Sequence, residues 1–228
     1  MVEQGGQWGE AFPLQVNRMK NDTSLTLFHY WNGLRGSRIA PQRLEIEPAH
    51  IAGILPQVFV LERMNFETYR FRIAGTGLCE QFGCELRGHN FLGFWSPEDR
   101  FTLKRMLASI SQEGLAGLLE LQASAPGKNP VPIEMLILPL THAGEVIDRF
   151  IGSMSTEVGS RYNEMKHLHQ LRLVRHELFR PDDVSSGRQL SAWWPLSEVR
   201  NARLVQVKQR SFRVYEGGRS SRASSHKD

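Results

Sequence analysis

Apolar positions recur along the chain with two different periods, and each period predicts a different kind of element. Leu27, Tyr30, Trp31 and Leu34, spaced i, i+3, i+4, i+7, predict a helix with N-caps available at Asp22-Thr23-Ser24 and a stop at Gly36. AHIAGIL, after Glu47-Pro48, predicts a short helix ending at Pro56. VFVLERM and YRFRIAG then predict two strands, joined through Asn65-Phe66-Glu67-Thr68 as a hairpin. In the second of these, Tyr69, Phe71 and Ile73 alternate with Arg70 and Arg72, which gives one apolar and one wetted face. GTGLCEQFG reads as a helical turn between glycines. From Ser96 to about Gln112 the period returns to the helical one, with Leu103, Met106, Leu107 and Ile110 on one face. Its start is marked by Ser96 as N-cap, Pro97 at the first helical position, and Glu98 and Asp99 facing the positive end of the helix dipole. LLELQAS, VPIEMLILPL and VIDRFIGSMS predict three further strands, with turns at Pro126-Gly127-Lys128-Asn129 and His142-Ala143-Gly144.

Two hairpin-linked strands, a run of helices and three more strands define an α+β class: an antiparallel sheet with helices gathered on one face. Three segments lie outside this order. Residues 1–22 are polar and Gly-rich and predict a flexible N-terminus. Residues 156–180 carry Met165, Leu168, Leu171, Val174 and Leu178 at steps of three and four, which predicts a C-terminal amphipathic helix. On such a helix His167, His169 and His176 lack the i, i+4 spacing of a shared metal, so no metal site is expected. Residues 181–228 form an extension containing the pair Trp193-Trp194 and a basic tail, EGGRSSRASSHKD, whose composition predicts disorder.

The stretch GHNFLGFWSPEDR places Phe91, Phe94 and Trp95 in a turn before the Ser96 helix, too close together for an amphipathic helix of their own. They must point into the fold. Composition, with 40% hydrophobic and 23% charged residues, is that of a soluble globular chain. Its N-terminus lacks the charged and apolar regions of a leader, and no apolar run approaches the ~20 residues of a membrane span, so a cytoplasmic location is expected. Cys79 and Cys84, with no second ligand pair, read as two small core residues rather than a zinc site. The net charge of +4 is a property of the tail, since residues 199–228 carry eight Lys/Arg against two acidic residues. A basic tail without stacking aromatics leaves an adaptor that binds nucleic acid as the alternative function. No nucleophile elbow, phosphate loop or metalloprotease motif occurs, and Glu134 and Asp99 offer no converging carboxylate pair, so no enzymatic activity is expected.

The element order, the GTG after the second strand and the PED-R that opens a helix after a glycine and a hydrophobic stretch resemble a PAS domain. PQRLEIEPAHIAGILPQVFVLE, YRFRIAGT and GCELRG are similar more narrowly to short, single-domain bacterial PAS proteins of alphaproteobacterial type, which share an R-x-[DE]-[IL]-[DE]-P entry and an R-x-x-GT turn. The likeness spans roughly Leu25 to Ser155 and implies a PAS-like five-stranded antiparallel sheet over residues 23–155, flanked by N- and C-terminal helices. It further implies a sensory or regulatory module in signal transduction, without an output domain, that binds a small apolar ligand or a protein partner. The ligand-binding candidates it selects on the sheet are Tyr69, Phe71, Ile73, Leu119, Leu121, Ile133, Met135 and Ile137. Phe91, Phe94, Trp95 and Met106 come from the covering segments; the same side chains equally suit a packed core.

The cofactor is left unassigned. Photosensory flavin-binding members resemble G-x-N-C-R-F-L-Q, and here Gly88-His89-Asn90-Phe91 places phenylalanine where the thiol must be; no helical histidine suggests haem. If Ile133, Met135 and Ile137 face inward, Leu136 and Leu138 face outward and need a cover. A homodimer is therefore expected, its interface drawn from Leu27, Tyr30, Trp31, Leu34, Leu136 and Leu138, with a separate signalling protein as partner.

Overall fold

The computed structural model describes residues 19–184, apart from 128, 143, 157–167 and 169. Helix α1 runs over Asp22–Arg35, and a 3-10 segment over Pro48–Gln57 leads into strand β1, Val58–Asn65. Strand β2, Thr68–Ala74, is followed by α2, Thr76–Phe82, a 3-10 turn at Phe91–Phe94, and α3, Pro97–Glu113. Strands β3, Ala116–Ser124, β4, Val131–Thr141, β5, Ile147–Ser155, and β6, Gln170–Phe179, complete the order. The six strands make one antiparallel sheet ordered β2-β1-β5-β4-β3-β6. The α+β class and the first five strands agree with the sequence pattern.

Local chemistry explains the helix ends. Ser96 Oγ accepts from Asp99 N at 3.2 Å, so α3 begins where its cap predicts. The α1 cap falls one residue before the expected group: Asn21 Oδ1 accepts from Thr23 N at 3.0 Å. Gly75 lets the end of the Pro48–Gln57 segment lie directly against β2, because a Cβ there would stand 2.5 Å from the Pro56 carbonyl carbon. Gly152 serves the sheet in the same way, giving the ring of Phe59 a seat on β5.

Two faces of the sheet are buried differently. Phe59, Gly152 and Ile137 stand in register across β1, β5 and β4 and face α2, the 3-10 turn and α3. Leu136, Leu138 and Leu140 face the other way and are fully buried. Helix α1 covers them: Trp31 Nε1 donates to the Pro139 carbonyl at 2.7 Å, and Phe28 meets Phe179 of β6 at 5.9 Å between ring centroids. Its buried stripe is Ser24, Leu27, Phe28, Trp31 and Arg35, so the stripe read from sequence is rotated toward Phe28, with Tyr30 and Leu34 at its margin.

Residues 170–179 correct the expected C-terminal helix, because they form β6 along the outer edge of β3. The reason is a bulge. Leu171 and Leu173 face inward opposite Ala123 and Leu121, Val174 is the extra residue, and His176 and Leu178 then return to the inward side. Leu171, Val174 and Leu178 thereby keep a helical spacing while forming a strand. Pairing won because β3, buried along most of its length, would otherwise leave its edge N–H and C=O groups without partners. The remainder of the predicted helix, the flexible N-terminus up to residue 18, and the extension and tail from residue 185 lie outside the described residues.

Both outer strands have chain laid against them. Gly88 N donates to Phe71 O at 2.8 Å, Phe71 N to His89 O at 3.0 Å, and Tyr69 N to Asn90 Oδ1 at 3.0 Å, which covers the edge of β2. On the opposite side Leu171 bridges to Trp95, and Leu173 N donates to Asp99 Oδ2 at 3.2 Å.

Candidate functional site

The inner face of the sheet gathers eleven of the twelve predicted ligand-binding side chains into one core. Tyr69, Phe71, Leu119, Leu121, Ile133, Met135 and Ile137 supply its floor, Met106 comes from α3, and Phe91, Phe94 and Trp95 close it from above. The turn that carries these three aromatics is held by Asn90, whose side-chain oxygen accepts from Leu92 N at 3.2 Å and whose amide donates to Glu67 O at 3.0 Å. Phe91 then stacks on Phe59 at 6.2 Å and meets Trp95 edge-on at 5.5 Å, while Phe94 packs against Phe82 at 4.9 Å. Burial holds the Tyr69 phenol above its usual pKa range.

Ile73 is the exception and a correction. Val60 pairs with Ile73 and Leu61 with Phe71, so Arg72 is an extra residue and Ile73 turns to the opposite face, 46% exposed. There Glu62 is flanked by Arg149 at 2.6 Å and by Arg72. The dimer-interface candidates are also relocated: Leu27, Trp31, Leu136 and Leu138 are buried within one chain, where α1 itself covers the sheet. Only Tyr30 and Leu34 of that group retain partial exposure, and the Tyr30 hydroxyl is engaged by Glu47 N at 2.7 Å. Of the two cysteines expected in the core, Cys79 is half-buried and packs against it, and Cys84 is exposed.

Several buried polar atoms among the described residues have no partner, the hydroxyls of Ser24, Ser111, Ser153 and Ser155 among them, and two of these side chains, Gln81 and Trp95, belong to the segments over the inner face. Gln81, 3% exposed on the inward face of α2 with Leu78, leaves both amide atoms without a hydrogen bond. Trp95 Nε1 is likewise unpaired. Both residues adjoin the chain leading into and along β6: Gln81 O accepts from Leu168 N at 2.9 Å, and Trp95 bridges to Leu171. Leu168 and Leu171 are three residues apart in the chain, so those points lie no more than about 11 Å from one another. Such orphaned groups are rare in native interiors and cost about 1–3 kcal/mol each. The one signal in the sequence for a buried Gln81 is its place one turn after Leu78 on a short helix.

A concavity of about 160 Å³ lies on the outer face beside the entry to α1, lined by Lys20, Asn21, Glu120, Gln122, Glu134 and Val174 among others. It corrects the reading that no carboxylates converge, since Glu120 and Glu134 are cross-strand partners. Both are engaged. Glu134 accepts from Lys20 N at 2.7 Å and Asn21 N at 3.2 Å, and Lys20 Nζ pairs with Glu120 at 3.1 Å. The pair fastens the start of α1 to the sheet.

With this sheet, helical cover and aromatic interior in place, the family follows. The PAS domain model matches residues 19–155, more than half of the chain, and the chain belongs to the PAS domain family, whose members are sensory modules. No curated protein matches the sequence significantly. Solved structures of similar shape include the dark-state LOV domain of the blue-light photoreceptor Aureochrome1, at 13% identity over 50% of this chain and 85% of that one, with a TM-score of 0.38. The Rhodobacter sphaeroides LOV protein is 12% identical over 52% of this chain and 73% of its own, with a TM-score of 0.38. An RNA-binding light-oxygen-voltage receptor is 13% identical over 58% and 40% of the respective chains, with a TM-score of 0.39. These likenesses are too distant to carry a ligand or an activity across. Among the described residues no helix is long and apolar enough to cross a membrane.

Proposed function

We propose that the protein is a non-catalytic sensory module whose inner core takes up a small, largely apolar molecule with one polar end. The observation that carries this reading is a pair of groups without a hydrogen-bond partner, the Gln81 amide and the Trp95 indole N–H, in the segments that cover an inner face of apolar and aromatic side chains. A ligand group able to donate to and accept from an amide, and to accept from the indole, would relieve both.

Occupancy has a route outward. Gln81, Trp95 and Asp99, in the segments over the core, are each hydrogen-bonded or bridged to the chain at Leu168, Leu171 and Leu173. The far end of β6 is in turn fastened to α1 by the Phe179–Phe28 contact and by the ion pair of Asp182 with Arg35. A change in the cover is thus mechanically tied, through β6, to the helix on the opposite face, where a separate signalling protein would read it as a shift between two populations.

The test is to purify the protein, denature it, and identify released small molecules by mass spectrometry, beside a Gln81→Leu variant. A molecule released in stoichiometric amount from the wild type and absent from the variant supports the reading. Equal release from both, or none together with an unchanged melting temperature across a panel of amphiphiles, overturns it.

A further inference from the structure

We infer that Cys79 and Cys84 form a site of reversible oxidation, closing an intrachain disulfide across the C-terminus of α2. The evidence is the way the helix ends. Gly83 adopts φ 66°, ψ 20°, its N–H donates to the Glu80 carbonyl at 3.3 Å, and Cys84 N donates to the Cys79 carbonyl at 3.2 Å. This double bond pattern is a Schellman motif, in which the residue one past the left-handed glycine lies over the residue four before it, and the two side chains usually make an apolar contact. Here those two positions are Cys84 and Cys79.

The backbone hydrogen bond limits their separation. The covalent bonds at each end add about 4.2 Å to its 3.2 Å, so the two α-carbons lie no more than about 7.4 Å apart, and the bends at the carbonyl and at the amide nitrogen shorten this. Disulfides span about 4.4–6.8 Å between α-carbons. The thiols already feel one another, since the charge of Cys79 raises the pKa of Cys84, after the larger effect of desolvation. Accessibility is not an obstacle: Cys84 is exposed and Cys79 half-buried.

With a small-molecule disulfide such as oxidised glutathione as the oxidant, the chemistry balances. One cysteine thiolate attacks a glutathione sulfur, breaking its S–S bond, forming a mixed disulfide and releasing one glutathione thiolate. The second cysteine, deprotonated, then attacks the protein sulfur of that mixed disulfide and releases the second. Two protein thiols are oxidised, one glutathione disulfide is reduced to two thiols, and the two protein protons end on the released glutathione. Because Cys84 is held above the usual thiol pKa, it is a small fraction of thiolate at neutral pH and the exchange is slow. The bond closes a loop that contains Gln81, so oxidation fixes the last turn of the helix that carries the orphaned amide.

The full chain is equilibrated in glutathione buffers of increasing oxidised fraction, free thiols are alkylated, and the tryptic peptide from Ile73 to Arg87, which holds both cysteines, is weighed. The expected product is that peptide lighter by two hydrogen atoms and unalkylated, while Cys79→Ser and Cys84→Ser each retain one glutathione adduct. Full alkylation at every ratio, stable glutathione adducts on the wild type, or disulfide-linked dimers as the main product would each overturn the inference.

Discussion

Replacing Gln81 by leucine is expected to stabilise the ligand-free protein, although the change is made deep in its core. Gln81 is 3% exposed, and neither amide atom has a partner. The folded state therefore carries the desolvation of a donor and an acceptor that water satisfies in the unfolded chain, worth about 1–3 kcal/mol for a buried polar group. Leucine removes both groups and fills nearly the same space. It has one heavy atom fewer in its side chain, and the void this leaves costs roughly 1 kcal/mol, near the value for a lost methylene. The net expectation is a gain of about 1–2 kcal/mol, since the amide contributes two orphaned atoms and the void only one methylene equivalent. With a urea m-value of about 2–3 kcal/mol/M for a protein of this size, the midpoint rises by roughly 0.3–1 M. The assay is urea unfolding of protein stripped of small molecules, followed by the fluorescence of the buried Trp31 and Trp95. A midpoint lowered by the equivalent of 1 kcal/mol or more would mean that the amide is satisfied in the folded protein, and the argument for a polar-ended ligand would fall with it.

Gly75→Ala is expected to lose about 3 kcal/mol, because its Cβ meets the backbone of Leu55 and Pro56, which cannot rotate away; Gly53→Ala, which meets nothing within 4 Å, is the control, and equal denaturation midpoints would refute the close approach. Ser96→Ala removes the α3 cap and should cost about 1 kcal/mol by the same measurement, whereas no change would mean that water replaces the hydroxyl. Trp31→Glu, which places a carboxylate at a fully buried position and removes the bond to Pro139, should unfold the chain instead of releasing monomers from a dimer. Circular dichroism combined with light scattering separates these outcomes, and a folded monomeric variant would restore α1 as an interface helix.

The parts of the fold legible from sequence were those in which local pattern and tertiary demand coincide. Ser96-Pro97-Glu98-Asp99 carries its own cap, and the alternation in VPIEMLILPL survives because β4 is paired on both sides and its inward and outward residues are both buried. What was missed has a common cause at two places. Arg72 and Val174 are bulge residues, and each reverses the inward and outward assignment of the residues beyond it. Ile73 therefore lies on the face opposite to the one its alternation predicts, and Leu171 to Leu178 form a strand despite their helical spacing. A bulge is set by the register of the neighbouring strand, which a window along one strand does not contain. Gln81 escaped notice for another reason: polarity predicts exposure, and only the three-dimensional cover over α2 places this amide indoors.

The segments laid along the outer strands bear on how the protein meets others. Residues 88–90 occupy hydrogen-bonding positions of β2, and Trp95 and Asp99 do the same for the first half of β6. Those stretches offer no template on which a foreign strand could grow, so a partner arriving there must recognise side chains and shape. The same closure guards the molecule against its own copies. Asn90, whose side chain spans Tyr69 N, Leu92 N and Glu67 O, acts as the clasp of one edge, and loosening it would expose an apolar strand to self-pairing long before the core itself gave way.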